Sequence, residues 1–343
     1  SGRAVVRRRS RRKQAQEALV ILAGDLGGTK FVLAECDDRG QIKKEQIFKC
    51  ADYSSPFEII DQFLGSDTVD AAAFGVAGPV VEGTAHITNL PWKIESSALS
   101  ERLGGPVTLL NDLQATALGL AILPTDKFAV LQQAKVPAHA TIAVIAPGTG
   151  LGEAMLVSDG KHYRALPSEA GHADFAPATD EEWQLLLFLR AKYGPHVSVE
   201  RVLCGNGIGD LYDFCRSTSS TPEPQWLAHE MRSGDRNAAI SNSAIAGNDP
   251  ITKKTLSMFA AILGAEAGNQ ALRGLATGGV VIGGGIPPKI LPALQTAALL
   301  ERFTAKGRFT NWMKGVALRV SLEPRAALLG AAHSAVMTRE HRA

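Results

Sequence analysis

Apolar and polar positions alternate along this chain in short runs that separate into two kinds. Residues 19–23 and 31–35 are brief, rich in Val, Leu, Ile and Phe, and too short for helices, so they predict two strands around a turn at Gly27-Gly28-Thr29. A polar turn at 37–40 and a third run at 41–48 complete an antiparallel meander. Residues 57–64 have helical spacing, and 69–76 predicts a buried strand closing on Gly78-Pro79. Thr88-Asn89-Leu90-Pro91-Trp92 is turn-like. A helix over 96–103 stops at Gly104-Gly105-Pro106, and a strand over 107–110 runs straight into Asn111-Asp112 and an Ala/Leu-rich helix over 113–122.

The same order of signals then returns. Residues 141–146 predict a strand, 147–152 a glycine turn, 153–157 a strand, Asp159-Gly160 a tight turn and 162–166 a third strand. The two glycine turns lie about 120 residues apart, far beyond solenoid spacing, so the duplication is one of whole domains. Beyond it, 179–193 has helical spacing, with Thr179 and Glu182 spaced as a capping box and Trp183, Leu186 and Leu187 as its expected inner face. The glycines at 205–209 read as a loop before a helix at 210–215, and 222–246 as polar surface, helical at most. A long Ala/Gly-rich helix over 255–275 precedes a buried strand that ends in Gly283-Gly284-Gly285, and a strand over 316–322 and a helix over 326–337 close the chain. The pattern is α/β, with a cleft between duplicated halves.

Composition narrows this picture. A length of 343 residues suits two domains, and 45% hydrophobic residues with 34 glycines suit a globular α/β protein. No apolar run is long enough to span a bilayer, and no secretory apolar segment is present, so a cytoplasmic protein is expected. The net charge of +2 hides an asymmetry: residues 1–13 hold seven basic side chains and no acid, which leaves 29 basic against 34 acidic in the remainder. This arm over 1–17 reads either as a disordered tail or as the remnant of an organelle transit peptide. A basic arm on a mildly acidic body is no nucleic-acid-binding fold. Four scattered cysteines suggest neither a zinc site nor a disulfide framework.

The candidate chemistry sits at the turns. Glycines let backbone N–H groups approach a ligand, so Gly27, Gly28, Thr29 and Lys30, and again Gly148, Thr149 and Gly150, read as a phosphate cradle or as plain hairpin turns. Two such turns facing one cleft would hold a polyphosphate from both sides. Asp25, at the end of a buried strand, implies a cation or donor, and hydrated Mg²⁺ fits. Asn111 and Asp112 stand at a strand-to-helix junction, where ligands bind in open α/β sheets; taken alone, Asp112 reads as the helix N-cap. Glu169 and His172 suit sugar hydroxyls or form an incidental polar loop. Gly283, Gly284 and Gly285 admit a flat ring such as adenine or make a tight connection. Gly148-x-Gly150-x-Gly152 followed by a strand is not the dinucleotide fingerprint, so a dehydrogenase is not indicated.

Taken in order, Asp25-Leu-Gly-Gly-Thr-Lys30, Thr88-Asn-Leu-Pro-Trp92, Asn111-Asp112, Gly148-Thr-Gly-Leu-Gly152, Leu166-Pro167 before Glu169-Ala-Gly-His172, Glu200-Arg-Val-Leu203 and Gly283-Gly-Gly-Ile286 resemble the bacterial-type ATP-dependent glucokinase family of the sugar kinase/Hsp70/actin superfamily. The resemblance implies a two-domain, actin-like, ribonuclease H-like fold, with 18–122 plus 321–343 as the smaller domain and 123–320 as the larger. It implies ATP-dependent phosphorylation of glucose, with Asp112 as catalytic base. Asn111, Glu169, His172 and Glu200 would contact the sugar, the Gly/Thr loops would hold ATP and Mg²⁺, and the triple glycine would meet adenosine. It also implies a homodimer and a cleft that closes on the sugar. Ala170 departs from the commoner glycine, the zinc motif of the related repressor group is missing, and no helix-turn-helix is found before the kinase body. A kinase for mannose or N-acetylglucosamine, or a non-kinase ATPase module of the same superfamily, are the alternatives.

Overall fold

The computed structural model describes residues 20–65 and 67–340; the basic arm expected over 1–17 lies outside them. The chain opens with β1 (Ile21–Leu26), β2 (Lys30–Cys36) and β3 (Ile42–Lys49), followed by α1 (Pro56–Leu64) and β4 (Ala71–Val76). A small antiparallel sheet of β5 (Val80–Val81), β6 (Thr84–His86) and β7 (Lys93–Glu95) leads to α2 (Ser96–Leu103), β8 (Val107–Asn111) and α3 (Asp112–Ile122). The first large sheet has the order β3-β2-β1-β4-β8. Its leading hairpins are antiparallel, and β4 and β8 join parallel.

The second half repeats the plan. After β9 (Phe128–Gln132) come β10 (Ile142–Pro147), β11 (Leu151–Ser158) and β12 (Tyr163–Pro167). The helices α4 (Asp180–Tyr193), α5 (Gly205–Ser217), α6 (Gln225–Ser233), α7 (Arg236–Ala246) and α8 (Pro250–Arg273) follow. The chain ends with β13 (Val280–Ile282), α9 (Leu291–Leu294), α10 (Ala297–Thr304), α11 (Thr310–Met313), β14 (Leu318–Ser321) and α12 (Ala326–Glu340). The sheet order is β12-β11-β10-β13-β14-β9. Its first five places match the first sheet in sequence order and direction, and β9 is an added antiparallel edge. This is the duplication that the two meanders predict, in the ribonuclease H-like form that the resemblance implies.

Local chemistry explains the elements that carry the site. Pro56 starts α1, and the Ser55 hydroxyl accepts from the Glu58 N–H, while Ile59, Ile60 and Phe63 turn inward against the first sheet. Gly104, at φ 75°, ends α2 in the left-handed region. The closing helix α12 returns to the first half, where Leu328, Ala331 and Ala335 pack on β1 and β4. It crosses α3 where neither helix has a side chain: a Cβ on Gly119 would meet the Ala326 carbonyl oxygen at 1.9 Å, and one on Gly330 the Ala115 oxygen at 1.8 Å. α3 thereby wedges between the halves, with Leu113, Ala117 and Leu120 packed toward β10, β11 and β13. Among the described residues, no helix is long and apolar enough to cross a membrane.

Four expectations are corrected. Trp183 and Leu187 face outward, 50% and 42% exposed; the inner face of α4 is Glu182, Leu185 and Leu189. Glu182 is buried because Arg302 donates to both of its oxygens at 2.9 Å. The capping box is half present: Thr179 accepts from the Glu182 N–H, but the Glu182 carboxylate turns to the Ala178 N–H. Gly205 and Gly207 belong to α5 rather than a loop, with Cys204 as the cap. The strands β5, β6 and β7, of two or three residues each, are too short to leave a period of two in the sequence.

Candidate active site

β1, β4 and β8 run parallel, so their carboxyl ends share one edge; there β1 reaches Asp25, β4 reaches Val76 and β8 reaches Asn111. The second sheet brings the ends of β10 and β13, at Pro147 and Ile282, to the same place. A cavity of about 560 Å³ lies between them. Asn111, Asp112, Gly148, Thr149, Gly150, Glu169, His172, Glu200 and Gly284 all line it, as do Gly78, Thr88, Thr116 and Ser168. Thirteen positions from both halves thus converge, and five of them are the proposed sugar contacts and base. Gly27, Gly28, Thr29, Lys30, Gly283, Gly285 and Asp25 do not border this cavity.

The junction of β8 and α3 settles which residue caps the helix. Asn111 Oδ1 accepts from the Gln114 N–H at 2.6 Å, and Gln114 Oε1 accepts from the Asn111 N–H at 3.2 Å, a reciprocal box. The cap is therefore Asn111, not Asp112. One oxygen of Asp112 accepts from the Leu113 N–H at 2.8 Å, and the carboxylate remains open to the cavity. Protein crowds it even so, and this loss of hydration is the first cause of a pKa above the ordinary carboxylate range; the Glu169 charge adds to the rise. Asp25, more deeply enclosed, is pushed up to about 6 by burial and then by the Asp112 charge.

Glu200 anchors the opposite wall. It lies on a 3-10 turn, Val199–Arg201, and its Oε2 accepts from the Leu151 N–H at 2.9 Å, a charge-assisted bond that ties it to the second glycine turn. A Cβ on Gly150 would meet the same oxygen at 2.5 Å, so any larger residue there displaces the Glu200 carboxylate from this bond. His172 stands between the two glutamates, with Nδ1 3.9 Å from Glu200 Oε1 and Nε2 3.9 Å from Glu169 Oε2. Those gaps are too long for direct hydrogen bonds and leave acceptors and a ring nitrogen facing open space, as a polyol requires.

The two glycine turns are equivalent in the sheets but not equally placed. The second borders the cavity. The first is closed by a Gly27 N–H to Lys30 oxygen bond of 2.9 Å and lies behind Thr88, whose carbonyl oxygen would meet a Cβ on Gly28 at 2.7 Å. Thr88, Gly78 and Ser168 had no assigned role in the sequence reading, although the first two lie in turn signals noted there. Ser168 donates to the Glu153 carbonyl oxygen at 2.6 Å, which fixes the start of the Glu169–His172 segment.

Among the described residues, no group of three His, Cys, Asp or Glu side chains is arranged to hold a metal ion. A magnesium ion keeps most of its water and takes one or two carboxylates plus phosphate oxygens. Asp112, and Asp25, which feels the Asp112 charge, fit that partial shell.

Two sheets of duplicated topology, a cavity at their shared carboxyl edge and a glycine turn from each half define a two-lobed, actin-like kinase fold. The glucokinase family model matches residues 22–338. A glucokinase of Nostoc punctiforme is 38% identical over 333 residues, covering 91% of this chain and 98% of that protein. The crystal structure of a glucokinase from an Antarctic psychrotroph superposes with a TM-score of 0.81 at 30% identity, covering 94% of this chain and 99% of that one. A glucokinase of the ROK family from Streptomyces griseus, solved with glucose and AMPPNP, shares the fold at 20% identity and a TM-score of 0.62, with 93% and 99% covered. The chain belongs to the glucokinase family.

Proposed function

We propose that the protein transfers the γ-phosphoryl group of ATP to the 6-hydroxyl of D-glucose, with Asp112 as general base. The observation that carries the reading is the single cavity where Asp112 faces Glu169, His172 and Glu200 across a glycine turn. Family membership supports hexose kinase activity, and the glucose and AMPPNP bound by the Streptomyces griseus structure support the pair of substrates.

In this reading Glu200, Glu169 and His172 bind the sugar ring through its hydroxyls, and the Asn111 amide donates, since its carbonyl is spent on the helix cap. Asp112 accepts a hydrogen bond from the acceptor hydroxyl, orients it toward the phosphorus and takes its proton late, because the transition state is loose and positioning dominates. The Gly148 N–H closes the second turn onto the Gly150 oxygen at 2.8 Å, so the N–H groups of Thr149 and Gly150 hold the triphosphate on one side, and the first turn supports the other. Magnesium on the triphosphate would supply charge neutralisation, and Asp25 is the residue to hold its water shell. The smaller domain comprises 18–122 with 321–343, and the larger comprises 123–320, in accord with the return of α12 to the first sheet.

A panel of hexoses in a coupled ADP assay tests the reading. Glucose gives the highest kcat/KM; a higher value for mannose or N-acetylglucosamine reassigns the sugar, and no sugar dependence overturns the kinase.

A further inference from the structure

We propose that the turn at Thr88 and Asn89 is a further part of the transfer site, with the Thr88 hydroxyl a direct contact to the acceptor sugar and Asn89 the residue that holds it in place. The inference rests on the sugar-kinase reading and assigns a residue to it.

Thr88 borders the cavity that Asp112 also lines, its hydroxyl 3.6 Å from where a Cβ on Gly78 would stand, and that hydroxyl has no hydrogen-bond partner among the described residues. A hydroxyl can donate and accept at once, which suits a sugar hydroxyl beside an acceptor-only carboxylate. The backbone that carries it is fixed: the Thr88 N–H donates to the Ala77 oxygen at 2.9 Å, and the Ile87 N–H donates to the Trp92 oxygen at 3.0 Å. Trp92, 6% exposed, pins the far end of the turn in the core.

Asn89 stands at φ 65°, in the left-handed region that Asn tolerates and most residues resist. Such conformations persist where the surroundings impose them, and they gather at functional sites. Here the imposed feature is a contact with the first glycine turn: a Cβ on Gly28 would lie 2.7 Å from the Thr88 oxygen, 3.7 Å from Asn89 Cβ and 3.8 Å from Asn89 Nδ2. The turn therefore touches the phosphate loop with its backbone and the sugar cavity with the Thr88 side chain. One short turn thus joins the two, and the left-handed residue sets the angle between them.

The test uses the full chain and compares Thr88→Val, Thr88→Ser, Asn89→Ala and Asn89→Gly, with glucose binding read by calorimetry and turnover by ADP release. Thr88→Val, matched in shape, weakens glucose binding and lowers kcat/KM for glucose about tenfold, while KM for ATP and the melting temperature stay near wild type. Thr88→Ser restores most of the loss. Asn89→Ala lowers kcat/KM for glucose, and Asn89→Gly, which adopts positive φ freely, recovers it. A Thr88→Val protein that binds and phosphorylates glucose like an active wild type overturns the Thr88 contact alone. A wild type that binds no hexose overturns the functional reading, and the Thr88 contact falls with it.

Discussion

The two glycine turns stand at the same place in two sheets of the same topology, and they are held by different means. The first is tied within its own meander: the Gly27 N–H reaches Lys30, the Cys50 N–H reaches the Thr29 oxygen at 3.0 Å, and the Cys50 thiol faces the Gly27 oxygen at 3.6 Å. The second is tied to distant chain: the Gly205 N–H, at the start of α5, donates to the Gly148 oxygen at 2.9 Å, and Leu151 donates to the Glu200 carboxylate. One turn is a local hairpin, proposed to serve phosphate. The other is braced by the same Glu200 carboxylate that is proposed to bind the sugar, so a change on either side is felt by both. Duplication supplied two equivalent loops, and the contacts made afterwards divided the work between them. The first half contributes Asp25 and Asp112, and the second contributes Glu169, His172 and Glu200.

Breaking the catalytic side of that division has the largest effect. Asp112→Asn removes the proposed base and lowers kcat about 10²- to 10⁴-fold, with glucose affinity close to wild type by calorimetry. Breaking the brace comes next: Gly150→Ala drives a Cβ into the Glu200 carboxylate and lowers kcat/KM for glucose about 10- to 100-fold. Gly27→Ala in the first turn, whose Cβ would meet only the Lys30 oxygen at 3.5 Å, changes it less than the Gly150 substitution does.

Electrostatic effects are smaller and sharpen the comparison. As the proposed base Asp112 works ionised, so turnover is expected to fall as pH drops through its raised pKa. Because the Glu169 charge contributes to that rise, Glu169→Gln moves the acid limb to lower pH while it raises KM for the sugar; an unmoved limb in a pH–kcat profile would separate the two carboxylates. The smallest effect lies beneath the second turn. Glu153, on β11, is fully enclosed with neither oxygen hydrogen-bonded, and burial, then Glu266, pushes it up to about 8, with Arg273 3.9 Å away opposing the rise. Its folded pKa lies above its unfolded one, so stability falls as pH rises from about 4.5 to about 8. Glu153→Gln flattens that slope, as melting temperatures at pH 5 and pH 8 measure.

Much of this was legible before any coordinates. The meanders, their duplication and the helices over Pro56–Leu64 and Ser96–Leu103 follow from apolar periods and glycine stops, because local signals decide them. The ordered motifs placed Asn111, Asp112, Glu169, His172 and Glu200 in one cavity, where the structure has them. The rest depends on partners remote in sequence. Trp183 turns outward because Arg302, 120 residues from Glu182, draws that carboxylate inward. Asn111 takes the cap because Gln114 completes the box, and neighbouring Asn and Asp look alike to a propensity argument. Thr88 lies in a segment whose sequence signals a turn but not a ligand contact; it enters the site through the left-handed turn at Asn89 and the bare Cα of Gly28.

The central claim is that the cavity couples a sugar to a nucleotide. ADP release measured with ATP and magnesium, with and without glucose, tests it most directly. ADP appears in step with glucose 6-phosphate and only slowly in the absence of sugar; release at the same rate without sugar would contradict the account and leave an ATPase in its place.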